Sequence, residues 1–170
     1  MKKDTTTTNA LELLEMQHTE VEDLIEQIQD TDDPTEKSVL FEALADRISA
    51  HATIEEKLFY PAVMHETLHE LLVEATEEHL SMKRVLADMM ELDPEDEHFD
   101  AKLIVLRDQL MHHAHDEEED QLFPQVRELF DEDELAALGN ELLAMYERLL
   151  EKGEPRRSVP SEIRVAAPLF

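Results

Sequence analysis

Apolar residues recur at helical spacing along most of the chain. From Ala10 onward, Leu14, His18, Val21, Leu24 or Ile25, and Ile28 fall on one stripe, three or four residues apart as on the buried face of a helix. Thr31-Asp32-Asp33-Pro34 ends that helix near Asp30 and starts the next, with Asp33 as N-cap, Pro34 in the first turn and Glu36 at the capping-box position. The second stripe carries Phe41, Leu44, Ile48, His51 and Glu55, and Pro61, which has no amide to donate, ends or kinks it. A third runs through Leu68, Leu72, Ala75 or Thr76, His79, Met82, Leu86 and Met89. Asp93-Pro94-Glu95-Asp96 repeats the start signal and launches a fourth through Leu103, Leu106, Leu110 and His113. Leu135, Leu138, Leu142, Met145 and Leu149 predict a further helix at about 132 to 150. Two glycines, few aromatics and no alternating Val/Ile/Thr runs argue against strands. The expected class is all-α: an up-down-up-down four-helix bundle over residues 10–150 with a short additional C-terminal helix. Residues 1–9, polar and Thr-rich, and 151–170, rich in Pro and charge, are expected to be flexible, although the final Val165-Ala166-Ala167-Pro168-Leu169-Phe170 is apolar enough to dock.

Each of the four stripes holds a histidine where a large apolar residue would fit. One buried histidine is ordinarily structural, but four at equivalent depths are not explained that way. The halves match: His18 and His51 are 33 residues apart, His79 and His113 are 34 apart, and each half closes on a His, an acidic pair, apolar or aromatic residues and Pro. His51 and Glu55, four apart, point to the same side of a helix, and that side is the core. Burying such a pair costs several kcal/mol unless its charge and hydrogen bonds are compensated. A metal ion suits an imidazole and a carboxylate together.

The second motif is out of phase with the first. The upstream stripe selects His113, whereas counting back from Pro124 as Glu55 stands to Pro61 selects Glu118. One extra residue in the helix, as in a π-bulge, reconciles them. His113 with Glu117, or His115 with Glu119, keeps the four-residue spacing and stays open. His65 and His69 form a weak second pair near the bundle end, and His98 reads as solvated.

Composition narrows the chemistry. With no cysteine, any metal is held by nitrogen and oxygen. A formal charge of −28, from 43 acidic against 15 basic residues, opposes nucleic acid and anionic membrane surfaces; it serves solubility or draws in cations. No window approaches the ~18 apolar residues of a membrane span, and the N-terminus has no signal-peptide pattern, so a cytoplasmic location is expected.

Through His18, His51-x-x-x-Glu55, His79, His113 with Glu118, and the paired endings Glu55-Glu56-Lys57-Leu58-Phe59-Tyr60-Pro61 and Glu118-Glu119-Asp120-Gln121-Leu122-Phe123-Pro124, the chain resembles the hemerythrin-like proteins with the HHE cation-binding domain over about residues 10 to 130. The resemblance implies two non-haem iron ions (Fe2+/Fe3+) in a four-helix bundle, with His18, His51, His79 and His113 as terminal ligands and Glu55 and Glu118 as bridges. The oxygen-carrying members have a second histidine four residues from the third-helix ligand. Here those positions are Ala75 and Lys83, so a fifth nitrogen is missing unless His112 or His115 supplies it. The expected function is binding or sensing oxygen, nitric oxide or peroxide. The alternatives are an iron-handling or peroxide- or nitric-oxide-reducing enzyme, with an electron-donor protein as partner, and an acidic interaction protein without metal. A ferritin-like carboxylate oxidase fits poorly: Glu15-x-x-His18 matches its pattern, but Thr76 and Leu110 stand where it needs glutamates.

Overall fold

The computed structural model describes residues 8–169. Helix α1, Ala10–Asp30, opens on a capping box in which the Asn9 side chain accepts from the Glu12 amide and Glu12 reaches back to the Asn9 amide. Helix α2, Pro34–Ile54, starts on Asp33, whose carboxylate accepts from the amides of Thr35 and Glu36. It continues through a π-helical turn, Glu55–Phe59, into Tyr60–Ala62. Helix α3 is His69–Met90. Helix α4, Glu97–Met111, continues as a π-helical stretch, His112–Leu122, and ends as α-helix Phe123–Leu129. The all-α expectation holds, with no strand among the described residues.

Two apolar clusters show how the chain runs. One gathers the start of α1 (Leu11, Leu14), the end of α2 (Ile54, Phe59), the start of α3 (Leu72, Ala75) and the end of α4 (Leu122, Phe123). The other gathers the opposite ends: Ile25 and Ile28, Phe41 and Leu44, Leu86 and Met89, Phe99 and Leu103. The four helices therefore alternate in direction, and the histidines lie in the layer between the clusters.

Three features differ from the sequence reading. Helix α4 is launched by Asp96, whose carboxylate accepts from the His98 amide. Asp93 and Pro94 sit in the preceding turn, closed by the Asp96 amide on the Asp93 carbonyl, so the second carboxylate provides the cap. The C-terminal helix α5, Glu132–Lys152, is as long as α1 and not short, bounded by an Asp131–Glu134 capping box and Gly153. The segment beyond it, expected to be flexible, forms a 3-10 helix, Pro155–Ser161, with Val159 fully buried. Its anchors are Ser49 Oγ donating to the Pro155 carbonyl, Arg156 on Asp46, and Arg84 Nε donating to the Ile163 carbonyl. Most of the N-terminal stretch 1–9 lies outside the described residues.

Candidate metal centre

All six sequence-selected residues meet in this central layer. His18, His51, Glu55, His79, His113 and Glu118 are all buried, with Glu55 wholly so. They form two groups whose ligand atoms converge within 4.8 Å of one another: His18, His51, Glu55 and Glu118; and Glu55, His79 and His113. Glu55 belongs to both. Its Oε1 lies 3.1 Å from His51 Nε2 and its Oε2 lies 3.1 Å from His79 Nε2. Glu118 Oε2 is 3.2 Å from His18 Nε2 and 3.7 Å from His113 Nε2.

The π-helical segments aim both carboxylates. Pro61 and Pro124 have no amide, and the residue before each donates five residues back: Tyr60 to the Glu55 carbonyl and Phe123 to the Glu118 carbonyl. The widened turn in α4 puts His113 and Glu118 inside, while Glu117 and Glu119 stay partly exposed. The first half carries the same widened turn after Glu55, although the regular spacing of His51 and Glu55 gave no sign of it.

Every imidazole is held by its other nitrogen. Nδ1 of His18 meets Glu119 Oε1 at 2.7 Å, that of His51 meets Gln17 Oε1 at 2.7 Å, that of His79 meets Glu56 Oε1 at 2.9 Å, and that of His113 meets Glu78 Oε2 at 2.6 Å. A carboxylate or amide oxygen only accepts, so each Nδ1 donates and each Nε2 of a neutral ring offers a lone pair. Gln17, Glu56, Glu78 and Glu119 were not assigned this work from sequence, because each grips a histidine on another helix and no spacing reveals it. Tyr60 was also missed: its hydroxyl donates to Glu118 Oε1 at 2.8 Å and lies 3.3 Å from Glu55 Oε2 and His79 Nε2. Burial, with the Glu118 and Glu55 charges, holds its pKa well above the ordinary value, so it keeps its proton.

The donor set fits a metal. His18 Nε2, His51 Nε2, Glu55 Oε1 and Glu118 Oε2 are buried with no hydrogen-bond partner: the short contacts among them lack hydrogen-bond alignment. His79 Nε2 and His113 Nε2 face each other at 3.0 Å, and two lone pairs at that distance need a cation or proton between them. Charges respond accordingly. Burial opposes protonation of His18, but the Glu118 and Glu119 carboxylates overcome it and raise its pKa from 6.5 to about 10. Burial likewise opposes protonation of His79, and Glu55 and Glu56 raise it to about 10. His51 is lowered, chiefly by burial. For Glu55, burial pushes upward but His51 and His79 hold the carboxyl well below its usual range.

The other histidines stay outside. His112 is exposed beside Glu78, Asp116 and Glu117. His115 bridges Glu119 and Glu22. Neither belongs to the two buried donor groups; His112 lies instead in a separate, more exposed group with Glu78 and Glu117. The exposed His65 accepts from the Thr67 amide, and His69 and His98 are exposed.

An all-α fold closed around converging His and Glu donors defines a metal-binding helical protein. The chain belongs to the hemerythrin HHE cation binding domain family, whose pattern matches residues 9–126. A hemerythrin HHE cation binding domain-containing protein from Mycobacterium kansasii has a similar solved structure, with a TM-score of 0.74, 25% identity and 94% of each chain covered. The chain is also 29% identical over 119 residues to a DNA nickase of Nostoc sp. (strain PCC 7120 / SAG 25.82 / UTEX 2576), covering 70% of this chain but only 34% of that protein. No helix among the described residues is long and apolar enough to cross a membrane.

Proposed function

We propose that this protein is a non-haem di-iron protein that binds or senses a small ligand, namely oxygen, nitric oxide or peroxide, at a site bridged by Glu55 and Glu118. The observation that carries this reading is the pair of donor groups sharing Glu55, with four Nδ1-anchored histidines turning Nε2 inward. Two iron ions held by His18, His51, Glu55, His79, His113 and Glu118 would supply redox chemistry and open coordination positions.

The protein's own residues set what reaches the site. A cavity of about 20 Å³ adjoins the histidines, walled by Val21, Ile48, Met82, Leu110 and Ala114. Because His18, His51, His79 and His113 line it, this space is where the ions themselves would sit, and a small ligand is what would fit beside them. Its walls are mostly apolar, with Glu22 among them, and Tyr60 holds a proton beside the Glu118 carboxylate. A reducing enzyme of the same fold would draw electrons from a partner protein. The nicking activity in the Nostoc protein's name belongs to a chain of which this one spans about a third, and a net charge of −28 opposes a nucleic-acid partner.

Metal analysis with an absorption spectrum of aerobically purified protein tests this. About two irons per chain, with ligand-to-metal bands in the near ultraviolet, are expected. Zinc, or no metal after anaerobic reconstitution with ferrous iron, contradicts it.

A further inference from the structure

Lys83 is an ammonium group in the protein interior, only 5% exposed, that the site as described does not use. Its Nζ lies 2.8 and 2.9 Å from the two oxygens of Glu56 and 2.8 Å from Glu162 Oε2. Glu56 in turn accepts from Nδ1 of His79 at 2.9 Å. A buried ammonium is tolerated only with its charge paired and its donors engaged. Here the pairing runs in one line from the C-terminal segment to the centre: Glu162, Lys83, Glu56, His79. Glu162 lies beyond residues 9–126, the part that the family pattern matches.

We propose that the segment after Gly153 is a working part of the metal centre, with Glu162 and Lys83 as positioning residues that hold Glu56 on His79. This rests on His79 binding metal. Lys83 stands four residues after His79, on the same face of α3. Its charge restrains how strongly Glu56 draws on the Nδ1 proton, and therefore how much electron density the ring offers at Nε2. Glu162 counters that charge from the far side. The two thus act in opposite senses on one imidazole.

The segment docks independently of Glu162, through Ser49 with Pro155, Arg156 with Asp46, and Arg84 with Ile163, so Glu162→Gln leaves it in place. The test uses iron-loaded full chain and two readouts, the reduction potential and the rate at which a chelator strips the iron. Lys83→Met is expected to shift the potential negative, because a cation is lost and Glu56 pulls harder on His79, and to slow stripping severalfold, because the ring then donates more strongly at Nε2. Lys83→Arg is expected to restore both. Glu162→Gln is expected to shift the potential the opposite way, and in the double variant its effect disappears because Lys83 no longer transmits it. Iron bound normally, with potential and stripping rate unchanged in Lys83→Met and Glu162→Gln, overturns the proposal and leaves the metal reading standing. Shifts of the same sign in both variants also overturn it, as the signature of general loosening. A wild-type chain that binds no iron overturns both together.

Discussion

Each imidazole of the centre is fixed by what its Nδ1 touches, and this gives the site its proton chemistry. With His18 and His79 raised to about 10, both rings are protonated at neutral pH before metal enters, and the ion must displace those protons. Loading at neutral pH is therefore expected to release about two protons per chain, read from calorimetric heats in buffers of different ionisation enthalpy; no buffer dependence would contradict it. The linkage also has a sign in metal-stripped protein. A folded pKa of about 10 against 6.5 unfolded contributes stability that is full below 6.5 and lost as pH rises through about 10. Melting temperature should accordingly fall over that interval when metal is absent. His51→Ala or Glu55→Ala is expected to lower bound iron and, through lost linkage, to cost about 3–4 kcal/mol of stability at metal levels ~100 to 1,000 times Kd. His98→Ala, at an exposed helix start, should stay within about 0.5 kcal/mol and keep its iron; equal iron and melting curves across all three variants would defeat the assignment. The six converging side chains were legible because period and repeat place them. Gln17, Glu78 and Tyr60 were not, since the contacts that bring them to the centre are made chiefly across helices and depend on three-dimensional register.

Helix α4 turns a sequence conflict into geometry. Its upstream stripe and its Pro124 ending disagree by one residue, and the π-helical stretch His112–Leu122 absorbs the difference, leaving Glu118 1% exposed. Glu118→Ala is expected to cost iron while Glu117→Ala leaves it nearly intact, because one residue turns a side chain by about 100° around the axis. The reverse result in metal analysis would mean a regular helix. The matching turn in α2 was hidden, because Glu55 only opens it and keeps its four-residue spacing from His51, so the amide pairing of Tyr60 is what reveals the widening. Helix α5 depends on a close approach. A Cβ on Gly139 would stand 2.6 Å from the Thr8 carbonyl oxygen and 2.8 Å from the Ala10 nitrogen, backbone atoms that cannot swing aside. Gly139→Ala is expected to destabilise the fold by about 1–3 kcal/mol without lowering iron content. A neutral effect in thermal unfolding would show that α5 does not press on the start of α1. The helical face of α5 was legible from its leucines, but its docking against α1 was not, because nothing local to Gly139 points to residue 8.

At the scale of the whole molecule, an apolar cluster at each end encloses a polar layer that is costly to bury without compensation. The C-terminal segment, which composition alone marks as loose, is drawn in by Val159, buried in the second apolar cluster, and by Arg156 and Glu162, paired with Asp46 and Lys83 far back in the sequence. The charge of −28 favours cations throughout the surroundings of that layer. The central claim is that the layer is organised to hold two irons sharing a carboxylate. Diffraction from iron-loaded crystals at the iron absorption edge tests it most directly. The account predicts two anomalous peaks inside the bundle, one among His18, His51, Glu55 and Glu118 and one among Glu55, His79 and His113; no peak in that layer, or peaks only at surface carboxylates, would contradict it.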